Sequence, residues 1–327
     1  MKKFIISIFL IILLLFISLF VQKNINSSKN SNDGNQLITI RIPDTPFMAL
    51  LPLYVAADEG IFEKYGLKVE WIDVANPGEG RALVLSGKAD LTLSTFANLL
   101  AAESRESGHI KLLLPFYEAI NQPASYLLMG TDTTLKIDKL YGKKIGTYTG
   151  PSQKAYAKIV LHELGYNMPS DIDIIQVSTS AQIQSLFGGV FDVLFTVEPY
   201  GSTALSKGAI ALDSGIRPKY IANPFWVGAV AISTDFVKNN EGITDRINTI
   251  FNETLLYMER EPEKVRDILV NRCRISPEIA DGVALYTWVA NPTREDINEI
   301  QDHSDLLFEY ELIMRPIRIE NILSTIY

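Results

Sequence analysis

The chain is 327 residues long, 47% hydrophobic and 21% charged, which is material for a substantial core and too little charge for a disordered polypeptide. Its formal net charge of -8 repels a phosphate backbone and no basic run offsets it, so general nucleic-acid binding is excluded. One cysteine (Cys273) and three scattered histidines (His109, His162, His303) leave neither a disulfide scaffold nor a Cys/His metal cluster, and no metal or cofactor is expected.

Lys2 and Lys3 precede an apolar run from Phe4 to Val21 in which only Ser7 and Ser18 are polar. A helix of that length rises about 27 Å, close to a bilayer core. The basic flank stays in the cytoplasm, so the body of the chain is expected on the other side of the membrane. Residues 1–21 are read as a signal or anchor segment. No small-x-small cleavage pattern follows, which favours an uncleaved anchor over a removed signal peptide. Residues 22–36, rich in Asn, Ser, Lys and Gly, form a flexible tether, and folded structure is expected from Leu37.

Ile38, Ile40 and Ile42 alternate with polar residues, predicting a strand that Pro43 stops. A helix over 50–62, a strand over 67–74, a helix over 80–86, a strand over 89–93 and a helix over 96–106 follow. The pattern restarts after Gly142, with strands over 144–147, 172–177 and 191–196 and helices over 152–164 and 181–187. Such alternation predicts open, mostly parallel sheets flanked by helices. Two apolar stretches, 125–129 and 227–233, flank the second unit and are expected to cross between the two halves. From Ile243 onward the spacing is helical, with Pro262 opening a new helix.

Four motifs then become specific. Gly60-Ile61-Phe62-Glu63-Lys64-Tyr65-Gly66-Leu67-Lys68-Val69-Glu70 resembles the G-x-F-x-K-x-G-L-x-V-E signature of solute-binding proteins for nitrate, sulfonates and thiamine precursors, the SsuA/THI5-like family. Gly87-Lys88-Ala89-Asp90 is similar to the G-x-x-D before the third strand, and Leu140-Tyr141-Gly142-Lys143-Lys144-Ile145-Gly146 to the L-x-G-K-K-I-G that opens the second lobe. Phe191-Asp192-Val193 with Glu198-Pro199 resembles the D-A and E-P pair near its end. Taken singly, Gly66 and Gly87 also read as left-handed helix ends and Gly142 as a surface turn.

The resemblance implies an α/β, two-lobed clamshell of the type II periplasmic-binding-protein kind, with two crossover strands. Its lobes would be 37–128 plus 229–327, and 129–228. It also implies an extracytoplasmic protein that is not an enzyme, that delivers a small solute to an ABC transporter permease, and that touches the membrane through its N-terminal segment.

Ligands of parallel sheets lie at the carboxyl ends of strands. The expected contacts are therefore Thr45 and Phe47 after the first strand, Asn76 after the second, and Ser94 and Thr95 after the third. In the second lobe they are Tyr148, Thr149 and Ser152, then Glu198 and Tyr200, with Trp226 before the return crossing. Thr149-Gly150-Pro151-Ser152 opens a helix whose free N–H groups suit an oxyanion, or is ordinary capping. No Arg or Lys occurs in these loops, which disfavours nitrate. Aromatic faces together with Glu198 favour a planar, pyrimidine-like heteroaromatic solute over sulfonates.

Two other classes compete with import. Pyrimidine synthases of the same superfamily use a cysteine-rich motif that this chain lacks, and a membrane-tethered ligand sensor would share the clamshell. Gly78-Glu79-Gly80 lacks the third glycine of a dinucleotide motif, since Leu83 stands there, and Ser185 lacks nucleophile-elbow spacing.

Overall fold

A computed structural model of the chain describes residues 37–324 apart from 46, 75, 76, 132, 133 and 168. The export segment and tether expected over 1–36, and the contact expected at Asn76, lie outside the described residues. No helix among the described residues is long and apolar enough to cross a membrane.

The alternation at Ile38, Ile40 and Ile42 forms β1 (Ile38–Asp44), with Ile40 and Ile42 fully buried. Pro43 lies inside this strand instead of stopping it. Only one edge of β1 is laddered, in parallel with β2 (Leu67–Asp73), so a missing N–H is tolerated on the other. The single helix expected over 50–62 is two, α1 (Leu51–Asp58) and α2 (Ile61–Lys64), separated at Gly60, whose φ of 68° few other residues adopt. Then follow α3 (Pro77–Leu85), β3 (Leu91–Thr95), α4 (Phe96–Arg105) and β4 (Ile110–Glu118).

Residues 119–124 lead into a second half: β5 (Ser125–Met129), β6 (Lys144–Tyr148), α5 (Pro151–Glu163), β7 (Asp173–Val177), α6 (Gln182–Phe187), β8 (Val193–Val197), α7 (Tyr200–Ser206), β9 (Ile210–Ser214) and α8 (Ile216–Tyr220). The chain returns as β10 (Phe225–Ser233), followed by α9 (Thr234–Asn239), α10 (Ile243–Arg260), α11 (Pro262–Cys273), α12 (Pro277–Ala280), β11 (Thr287–Trp288) and α13 (Arg294–Glu309). Pro262 does stand in the first turn of α11, where its missing N–H costs nothing.

Besides the β1-β2 pair, the strands form a sheet in the order β11-β4-β10-β3 and another in the order β7-β6-β8-β5-β9. The α/β class and the flanking helices are as expected, but the sheets are only partly parallel. β6 is parallel to β7 and β8, whereas β5 and β10 run antiparallel to their neighbours. Each is the first strand after a change of half, and the chain enters it running back along the sheet. The crossings themselves are therefore the loop 119–124 and the segment 215–224, which holds the short helix α8, since β5 belongs wholly to the second sheet and β10 wholly to the first.

One device recurs in both halves. Asp90, the last residue of the G-x-x-D motif, is buried and accepts hydrogen bonds from the Arg41 backbone N at 2.8 Å and from its Nε at 2.9 Å, tying β3 to β1. Asp192 accepts from the Lys144 backbone N at 2.8 Å and ties β8 to β6. Lys64 and Tyr65 of the first motif bond Glu253 of α10, docking the C-terminal helices onto the first half. These motif residues hold strands and helices in place.

Candidate functional site

Where the two halves face each other lies a cavity of about 550 Å³. The first half contributes Phe47 after β1, Arg81 of α3, Ser94 and Thr95 at the end of β3, Phe116 of β4, and Tyr286 before β11. The second half contributes Tyr148 and Thr149 at the end of β6, Ser152, Gln153 and Tyr156 of α5, Ser178 and Thr179 after β7, and Arg217 of α8. Strand ends and helix starts supply nearly every group, as expected of α/β rims.

Local structure fixes these groups. Thr95 caps α4, its hydroxyl accepting from Asn98 N at 3.3 Å. Gly228 of β10 pairs with Thr95, and a Cβ there would stand 2.2 Å from the Ser94 carbonyl oxygen, so only glycine lets β3 and β10 approach this closely. Gln176 donates from Nε2 to the carbonyls of Tyr148 and Gly150, pinning the loop that leads into α5. In α5 the first helical bond runs from Lys154 N to the Gly150 carbonyl, so the N–H groups of Ser152 and Gln153 come before it at the cavity wall.

Besides Arg217, whose Nη2 stands 2.8 Å from Glu118 Oε2 in an ion pair, three lining side chains carry buried polar atoms that have no hydrogen-bond partner among the described residues: Ser94 Oγ, Gln153 Nε2 and Tyr156 Oη. Their residues are 2%, 3% and 2% exposed, so each atom is withdrawn from water and costs free energy while it lacks a partner. Burial raises the phenols of Tyr148, Tyr156 and Tyr286 above the ordinary range, keeping them neutral donors. Arg217 is also buried. Burial opposes its charge, but Glu118, whose Oε2 accepts from Arg217 Nε at 2.8 Å, more than offsets this and holds the guanidinium protonated. Among the described lining residues there is no carboxylate, histidine or cysteine.

Of the contacts expected from sequence, Phe47, Ser94, Thr95, Tyr148, Thr149 and Ser152 line the cavity. The hydroxyl of Thr149 already donates to the Val177 carbonyl at 3.1 Å. Four others stand off the wall. The Thr45 carbonyl is engaged by Tyr54 Oη at 2.9 Å. Glu198 is fully buried and accepts from Tyr126 Oη at 2.7 Å and from Ser202 N at 3.0 Å and Oγ at 2.7 Å, so it secures the start of α7. Tyr200, the first residue of that helix, is half-buried beside it.

Trp226 is completely buried, edge-on to Tyr117 at 5.0 Å between ring centres, with Nε1 donating to Glu299 at 3.3 Å. Its neighbour Val227 lines the cavity instead, because successive strand residues face opposite ways. The carboxylate expected to accept N–H bonds from a heterocycle is thus absent from the described wall, and two arginines that the loops do not contain reach it from α3 and α8. Tyr156 was legible as the i+4 partner of Ser152 on one helix face. For Arg217 and Tyr286, brought in from distant chain segments, no local signal exists.

Two α/β halves face each other across a cavity, a fold that this chain shares with solved periplasmic binding proteins. The chain belongs to the NMT1/THI5-like family, whose sequence profile matches residues 48–268. It is similar to the 4-amino-5-hydroxymethyl-2-methylpyrimidine phosphate synthase of Schizosaccharomyces pombe, 30% identical over 38% of this chain and 35% of that protein, so it spans about a third of that relative's length. A Bacillus subtilis protein, provisionally named an aliphatic sulfonates-binding protein, is 22% identical over 91% of this chain and 89% of its own. Among solved structures, the periplasmic aliphatic sulphonate binding protein SsuA from Escherichia coli superposes with a TM-score of 0.72 at 16% identity, covering 88% of this chain and 92% of that one. At that identity the likeness is one of fold.

Proposed function

We propose that this protein is the extracytoplasmic solute-binding component of an ABC importer and that it captures a small planar, pyrimidine-like heteroaromatic solute between its halves. In this reading residues 1–21 export the chain and anchor it, 22–36 are the tether, and the half that holds β1 to β4 and everything from β10 onward closes against the half that holds β5 to β9 to present the solute to a permease. The observation that carries it is the set of dehydrated polar atoms of Ser94, Gln153 and Tyr156, on both halves, around a cavity walled by Phe47, Phe116, Tyr148 and Tyr286. Rings stack on the aromatic faces, and ring nitrogens and exocyclic groups complete the unfilled hydrogen bonds. A solute touching both rims favours the closed state, and one seated on a single half does not.

Capture without bond breaking is supported by the near full-length likeness to proteins named for sulfonate binding. The part-length likeness to pyrimidine synthases is the reason to test turnover directly. A sulfonate is the second reading, favoured by the start of α5 opening onto the cavity. A thermal-shift screen of pyrimidines, flavins, sulfonates, nitrate and bicarbonate against the purified protein decides between them. Stabilisation by pyrimidine-class compounds, with the compound recovered unchanged, is the expected result. A shift with nitrate or sulfonates alone overturns the solute class, and a chemically altered compound overturns capture.

A further inference from the structure

A second cavity, of about 460 Å³, lies beside the first and shares Arg81, Asn98 and Ser152 with it. Its wall adds Arg105 and His109. Arg41, Arg217, Arg272 and Arg294 each meet a carboxylate, but no ion pair among the described residues uses Arg81 or Arg105. The one carboxylate among the described residues of this wall, Glu106, is 3.3 Å from His109 and its side chain is 81% exposed. Arg81 is half-buried, and burial, followed by the neighbouring charge of Arg105, works against its protonation. Arg81 on α3 and the exposed Arg105 at the end of α4 thus line one cavity without an ion pair among the described residues, and an anion held between them would offset their repulsion and the desolvation of Arg81.

We propose that Arg81 and Arg105 form an anion subsite at the mouth of the cleft that takes a phosphate monoester, a tetrahedral dianion, carried on the solute. A dianion neutralises both charges where a carboxylate neutralises one, and three oxygens can engage two guanidinium forks at once. Asn98 of the first half and Ser152 of the second stand on the shared wall, so the anion is positioned to contact both halves. The ring end of such a solute rests on the reading of the main cavity given above, but the anion end rests on the arginines alone.

Calorimetry on the full-length protein at fixed ionic strength tests this with three probes: benzyl phosphate, benzyl alcohol and inorganic phosphate. Benzyl phosphate is expected to bind at least tenfold tighter than benzyl alcohol. Arg81→Gln and Arg105→Gln each reduce that ratio at least fivefold, while the surface control Arg294→Gln leaves it unchanged. Inorganic phosphate alone binds in the millimolar range and is lost in the same two variants. If inorganic phosphate binds through the arginines but neither benzyl compound does better, the anion subsite stands and the aromatic reading of the main cavity falls. No preference for the ester and no binding of inorganic phosphate, or binding that survives both substitutions, overturns the inference.

Discussion

Glu118 and Arg217 form a buried pair, Arg217 Nε to Glu118 Oε2 at 2.8 Å, that ties the end of β4 to α8 in the second passage between halves. Glu118 ends β4 and also accepts from Ala124 N at 2.9 Å and Ser125 Oγ at 2.6 Å across the first passage. Arg217 opens the second passage, with its own N–H on Ser125 Oγ at 3.1 Å. The pair is thus a clasp at the base of the cavity. Removing one partner strands a buried charge, so Glu118→Gln is expected to cost about 3–5 kcal/mol in urea denaturation. Glu118→Gln with Arg217→Met should recover much of that loss. A double variant no more stable than Glu118→Gln would show that the clasp does not act as a unit.

The contrast between Trp226 and Tyr148 separates core from cleft. Trp226→Ala empties a site of 0% exposure and is expected to cost about 3–5 kcal/mol of stability. Tyr148 faces the cavity, so Tyr148→Ala should leave the unfolding midpoint close to that of the parent while weakening binding of the solute at least tenfold. Equal loss of stability in both variants would place Tyr148 in the packing and the cleft elsewhere.

Gly228 offers a test of how the scaffold sets the site. A methyl group at this position meets the Ser94 carbonyl at 2.2 Å, backbone that cannot swing aside. Gly228→Ala should therefore push β3 and β10 apart, lowering stability by about 1–3 kcal/mol and displacing the Ser94 and Thr95 hydroxyls, so that affinity falls together with stability. A variant whose affinity is unchanged would mean that Ser94 does not touch the solute.

What the sequence disclosed and what it hid follow one physical line. Strand ends such as Ser94-Thr95 and Tyr148-Thr149 were legible because period-2 alternation stops there, and α/β sheets expose ligand sites at that edge. The motif residues Asp90, Asp192 and Glu198 were equally visible, but their carboxylates are spent on backbone N–H groups and neighbouring hydroxyls. A polar residue beside a rim can serve either the rim or its support, and only coordinates tell which. Trp226 and Val227 show the same ambiguity at one-residue resolution, since a shift of one along a strand exchanges its two faces. The antiparallel entry of β5 and β10, and the arrival of Arg217 and Tyr286, depend on contacts far apart in sequence and leave no local pattern.

His303 supplies a prediction in pH. It lies on α13 at 2% exposure, edge-on to Phe225 at 5.0 Å and Phe96 at 6.1 Å, with both ring nitrogens lacking a hydrogen-bond partner among the described residues. Burial first, and the Arg217 charge second, lower its pKa to about 3 in the folded protein. In the unfolded chain an imidazole titrates near 6.5. Between these values the unfolded chain binds a proton that the folded one refuses, so this contribution to stability is complete above about pH 6.5 and is lost as pH falls towards 3. The slope is about 1.4 kcal/mol per pH unit, and moving from pH 7.5 to 5.5 should cost about that much. His303→Phe keeps an aromatic ring against Phe225 and Phe96 without the titration, so its stability should change less over the same interval by a similar amount. Urea denaturation of both proteins at the two pH values measures the difference in slope. Parallel slopes would mean that the folded protein takes up the proton, and that the space around His303 admits water.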